Sequence, residues 1–180
     1  MFSLFVAIGS SQPLSRSGNY MEIQSANGEC FSFVVDRYEF PHEPLGPTED
    51  NPADEDFDTG RFLVISCEFE NHDGKWSGSF PEMDTTGLAR LIQWLDSINR
   101  DDIMLNGVHF VEYNLEFSVD ETRTVLHVHA FDHFLPPWIA EGESITLRFP
   151  IADINLTNAL AALRAMAEQF PGRPPLGNVG

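Results

Sequence analysis

The sequence predicts an α+β protein, an antiparallel sheet of about seven strands with two amphipathic helices in the order ββββα-βββα. Two observations carry that prediction. Most segments from residue 20 onward alternate apolar and polar side chains with period two and are joined by tight-turn dipeptides, so neighbouring strands must run antiparallel. Two other segments repeat apolar residues at spacings of three and four, which is one buried stripe of a helix. With 42% apolar residues, and Phe alone present 15 times, 180 residues can fill a core without disulfide or metal staples.

The elements follow in order. Residues 20–25 and 29–40 flank Asn27-Gly28, a dipeptide suited to the positive φ angles of a type I′ hairpin. In the second run Phe31, Phe33 and Val35 share one face, and then Tyr38 and Phe40 take the other, which predicts a bulge near Asp36. Residues 61–70 form the cleanest strand, with Leu63, Ile65, Cys67 and Phe69 on one side. Asp73-Gly74 turns the chain into 75–80, and Pro81 is expected to stop that strand. Asp84 reads as the N-cap of a helix to Asn99, with Leu88, Leu91, Ile92, Leu95 and Ile98 inward and Trp94 at the edge of the core. Three further strands are expected at 111–119, 124–134 and 144–149, followed by a helix at 155–169 that Pro171 ends. The domain is read as 21–171, with 1–20 a loose extension or an early start and 172–180 a mobile tail.

Acidic residues number 28 against 10 basic ones, a formal charge of −18 at pH 7. A nucleic-acid binder needs cations to displace phosphate counterions, so that class is excluded, and docking on anionic lipid is disfavoured. No run approaches the roughly 20 apolar residues of a membrane span. The apolar run from Phe2 to Ile8 has no cation before it and no small-residue cleavage site after it, so a cytoplasmic location is expected. Cys30 and Cys67 are too few for a disulfide framework and read as reduced thiols.

Three features are candidates for function. Residues 41–60 hold seven acidic side chains, four prolines and neither Lys nor Arg. Asp54, Asp56 and Asp58 alternate there as in a calcium loop, but glycine falls at the seventh place and Ile65 stands where the bidentate Glu belongs. The segment therefore reads as a solvated loop or as an acidic recognition surface. His127, His129 and His133 share a strand pattern from which three imidazoles could approach one metal ion. That string is similar to the HxHxDH motif of metallo-β-lactamase-like hydrolases, yet Asp132 and His133 come one residue too late for it. No nucleophile elbow, phosphate-binding glycine loop or CxxC pair is present, so nothing names a reaction and no cofactor is expected.

The order of motifs resembles the WapI family of bacterial immunity proteins. The resemblance rests on DRYEFP (36–41), DTGRFLVISCEF (58–69) and KWSGSFPEMDTTGLARLIQWLDSI (75–98), then on LEFSVDE (115–121), PPW (136–138) and the closing QFP (169–171). It covers about residues 20–171 and implies a non-catalytic cytoplasmic protein that binds and neutralises a toxin, a tRNA nuclease in the founding case. A basic protein toxin is then the expected partner, with nucleic acid and membrane excluded. Glu49, Asp50, Asp54, Glu55, Asp56, Asp58, Glu68 and Glu70 would form its steering rim, and Trp76 or Trp138 its aromatic anchor. Two alternatives stay open: an interaction domain with no toxin, or an enzyme whose metal sits on His127, His129 and His133. Oligomeric state is not legible.

Overall fold

In the computed structural model, residues 19–39, 62–103, 105–140 and 142–172 are described. The expected α+β antiparallel architecture is present, with eight strands among the described residues divided between two sheets. Sheet 1 orders β1 (Met21–Gln24), β2 (Cys30–Tyr38), β3 (Phe62–Asn71) and β4 (Gly74–Asp84) as a meander. Helix α1 (Thr85–Asn99) follows, then sheet 2 in the order β5 (Gly107–His109), β6 (Leu115–Val119), β7 (Val125–Phe131) and β8 (Ser144–Pro150), and finally α2 (Leu156–Gln169). The 41–60 segment, the start of the chain and most of the 172–180 tail lie outside the described residues.

Register lines up the apolar faces that alternation predicts. In sheet 1, Ile23 opposes Phe31, Phe31 opposes Phe69 and Phe69 opposes Trp76, while Phe33 opposes Cys67. All of these side chains are buried. The expected bulge occurs at Asp36, between Val35 and Arg37. Beside it, two residues past the Met21–Phe33 pair that ends the β1 ladder, the Val35 amide donates to the Met166 sulfur of α2 at 3.4 Å. Asp84 caps α1 as expected, its Oδ1 accepting from the Gly87 amide at 2.5 Å, and Asn155 caps α2, its Oδ1 accepting from the Asn158 amide at 3.1 Å. Arg164 of α2 reaches Asp96 of α1 at 2.9 Å, tying the helices at their solvent side.

Several boundaries differ from expectation for local reasons. Of residues 25–29 only Gly28 takes positive φ (+90°), so the first hairpin closes through one left-handed glycine and not through a two-residue type I′ turn. Pro81 does not stop β4, because it sits opposite Val64 at a second bulge where the ladder is already interrupted. The alternating residues 111–114 are a turn, with Tyr113 in the left-handed region at φ 57°, and the short strand β5 lies just before them. β7 ends at Phe131, where a 3-10 turn (Asp132–Phe134) carries the chain away.

The sheets share one core. Phe31 of sheet 1 meets Phe117 of sheet 2 edge-on with centroids 5.6 Å apart, and Phe69 meets Phe134 at 6.0 Å. Beside these rings lies Glu82, which is 0% exposed. The β4 bulge skips one residue between the partners of Leu63 and Val64, and that residue is Glu82, so its carboxylate turns inward beside buried Met83. Its Oε1 accepts from the amides of Asn114 (2.9 Å) and Leu115 (3.0 Å), and its Oε2 accepts from Asn114 Nδ2 at 3.0 Å. A carboxylate from sheet 1 thus takes two backbone amides at the start of β6, where the strand also pairs with β7.

Burial drives the Glu82 carboxyl up from its ordinary 4.5 to about 7; the bonds from Asn114 and Leu115 oppose the shift and the Glu112 charge adds to it. A carboxyl that binds its proton more tightly when folded stabilises the fold below its unfolded pKa, and that contribution is lost as pH rises to the folded value. Between pH 8 and pH 5 the native protein should therefore gain up to about 3 kcal/mol more unfolding free energy than Glu82→Gln, measured by urea titration at each pH. Parallel pH profiles would contradict this assignment. Glu82→Ala strands three buried donors and should cost about 3 kcal/mol or more at every pH.

Candidate partner-binding surface

The outward face of sheet 1 is where the described acidic candidates collect. Alternation that sends Cys67 and Phe69 inward sends Glu68 and Glu70 outward, and register places Glu68 beside Ser32 and Glu70 beside Cys30. Glu22 of β1 completes the group, opposite Ser32. These side chains line a shallow hollow of about 180 Å³, in which Lys75 is the single cation among the described residues. Lys75 Nζ lies 3.4 Å from Glu68 Oε2. Cys30 edges the same hollow, its thiol pKa raised by burial and by the neighbouring glutamates. One bulge away, Asp36 accepts from the Ser66 hydroxyl at 2.5 Å. Glu49, Asp50, Asp54, Glu55, Asp56 and Asp58 lie outside the described residues.

The two tryptophans occupy different layers. Trp76 is 5% exposed, stacked on Phe69 with centroids 5.1 Å apart, and its Nε1 donates to the Phe134 carbonyl at 2.9 Å. Trp138 is 47% exposed and stands edge-on to Trp76 at 5.8 Å. Its ring rests over Gly74 in the β3–β4 turn, where an added Cβ would come within 3.1 Å. So Trp138 is a half-exposed aromatic on a preformed seat, at the end of sheet 1 that bears Glu70 and Lys75. Trp76 is part of the seat.

The histidines do not converge. His129 holds both ring nitrogens in hydrogen bonds at 2.8 Å, to Ser118 Oγ and Thr146 Oγ1, and burial lowers its pKa. Its lone pair is available to a metal only if a hydroxyl leaves. His127 is a neighbour at 5.6 Å between centroids. His133 has left the strand with the 3-10 turn and stacks on Phe80 at 3.9 Å. Among the described residues no group of three His, Cys, Asp or Glu is disposed to hold a metal ion. No helix among them is long and apolar enough to cross a membrane.

Sequence reasoning missed Glu82, because simple alternation does not reveal which residue of a strand a bulge will turn inward. It also passed over Glu22, whose place beside Glu68 follows only from the β1–β2–β3 register.

A sequence model of the immunity protein WapI-like family matches residues 22–171. No curated protein and no solved structure matches the chain.

The seat under Trp138 generates a test. Gly74 has φ +151°, and a methyl there would push on the indole. Gly74→Ala should destabilise the protein by about 1 kcal/mol and shift the tryptophan emission to longer wavelength as Trp138 is displaced. An unchanged spectrum would mean that the indole does not depend on this turn.

Proposed function

The chain belongs to the immunity protein WapI-like family, and from that membership we propose that it acts by binding alone, as a cytoplasmic, non-catalytic protein that captures and neutralises a basic, nuclease-type toxin. The observation that carries this reading is the outward face of sheet 1, where Glu22, Glu68 and Glu70 surround one lysine on a protein of formal charge −18. A nuclease must present cations where it grips phosphate, so its active surface is the natural complement of this one. Summed charge of one sign raises the encounter rate by roughly 10- to 1,000-fold over a neutral pair. The acidic residues Glu49, Asp50, Asp54, Glu55, Asp56 and Asp58 extend the same attraction.

Charge brings the partners together, but holding them requires buried apolar contact. Trp138 supplies it: the ring is already seated on Trp76 and Gly74, so little rotamer freedom is lost when a partner covers it. Neutralisation then follows from occlusion of the toxin's substrate groove, and no bond is made or broken. Sheet 1 is braced from beneath by the shared core, which keeps both the carboxylates and the indole in fixed register.

Co-expression with a basic, nuclease-type toxin domain tests the proposal. A stable complex and protection from toxicity are expected; no complex at micromolar concentration together with no protection would reject it. Within such a complex, Trp138→Ala should raise the dissociation rate, weakening affinity by about 30-fold or more. Glu68→Lys with Glu70→Lys should instead slow association by about tenfold at low salt, with a smaller effect on dissociation. Surface plasmon resonance separates the two effects.

A further inference from the structure

Between α1 and β5 the surface reverses its sign. A groove of about 520 Å³ opens there, floored by Trp94, Leu105 and Val108 and lined by Arg90 and Arg100, with Asp102 as its one acidic wall. Arg90, Trp94, Ser97 and Arg100 recur at spacings of three and four, so one stripe of α1 forms a wall of the groove. Ten residues of helix separate the two arginines along the axis by about 15 Å. Trp94 is held in place because its Nε1 donates to the Leu105 carbonyl at 2.9 Å, and Leu105 itself is 65% exposed. The other side of the groove is β5, which among the described residues pairs with β6 alone, so that there one backbone edge of Gly107–His109 has no strand beside it.

Of the nearby acidic groups, Asp96 is already engaged. It takes Arg164 Nη2 at 2.9 Å and Arg100 Nε at 3.1 Å, so the ion pair uses Arg100 by its inner nitrogen. Arg90 has no ion pair among the described residues. The result is an apolar trough with a guanidinium at each end, on a molecule that is otherwise strongly anionic.

We propose that this groove binds an extended acidic peptide segment of a partner protein. A strand advances about 3.3 Å per residue, so about 15 Å accommodates four to five residues. An apolar side chain at the middle of the segment covers Leu105 and Val108, and a carboxylate at each end meets Arg90 or Arg100 in the forked geometry that guanidinium and carboxylate share. The open edge of β5 offers backbone groups to the same segment. A nucleic acid carries a charge at every phosphate and the peptide only two carboxylates, so the net charge of −18 repels the nucleic acid more strongly. None of the residues assigned to toxin capture takes part, so the two readings stand or fall separately.

Fluorescence anisotropy on the whole protein with the labelled peptide acetyl-Glu-Ala-Leu-Ala-Glu-amide tests it. Saturable binding is expected, about tenfold or more tighter than for the same peptide with lysine at both ends. Arg90→Gln together with Arg100→Gln should weaken it about tenfold or more; both side chains are exposed, so the melting temperature should stay unchanged. Amide exchange at 107–109 should slow when the acidic peptide is bound. No saturable binding, equal affinity for the lysine peptide, indifference to the double substitution, or tighter binding of a single-stranded pentanucleotide would each overturn the proposal.

Discussion

The seam between the two sheets is the constraint from which the other features follow. Aromatic rings close most of it, Phe31 on Phe117 and Phe69 on Phe134, because period-two alternation in both sheets leaves one apolar face each and those faces have only each other and the two helices to bury against. The rings cannot satisfy the backbone at the start of β6. Glu82 does so, and its position is a consequence of the β4 bulge. Without the bulge, the Asn114 and Leu115 amides would be buried without an acceptor from this strand. The same bulge brings Pro81 into register without breaking the ladder.

What the seam fixes on the inside sets what the protein shows outside. Phe69 is stacked on Trp76, Trp76 bears Trp138, and the next residues of β3 on the opposite face are Glu68 and Glu70. The half-exposed indole and the acidic hollow therefore share one strand and one turn, and neither can move far without disturbing the core. A binding protein benefits from that rigidity, since whatever is ordered in advance need not be ordered on association. On sheet 2 His129 is tied within the sheet to Ser118 and Thr146, and Glu29 from the first hairpin of sheet 1 accepts from the Arg148 amide at 2.5 Å.

Much of this was legible in the residues themselves. Alternation located β2, β3, β6, β7 and β8, helical spacing located both helices, and the phase shift after Val35 located the Asp36 bulge. Alternation failed where its apolar half had no partner to cover it. Val111 and Tyr113 alternate like a strand, yet both are exposed on a turn, while the real strand beside them is only Gly107–His109, too short to show a period. Gly107 carries the missing signal: an added Cβ would come within 2.7 Å of the Phe117 carbonyl, so only glycine lets β5 approach β6. The acidic hollow was half legible, because Glu68 and Glu70 lie on one strand, whereas Glu22 joins them only through the register of three strands. The histidines misled for a related reason, since spacing along a strand cannot reveal that the strand ends at Phe131 and releases His133 to stack on Phe80.

Capture of a toxin, as proposed, depends on attraction between a fixed anionic exterior and a cationic partner. Its most direct measurement is the association rate constant with the basic toxin domain as a function of ionic strength, followed by stopped-flow fluorescence from about 20 to 500 mM salt, a range over which the screening length falls from roughly 20 Å to 4 Å. A charge-steered capture predicts that the association rate falls by tenfold or more across that range while dissociation changes little. An association rate that does not respond to salt would contradict it.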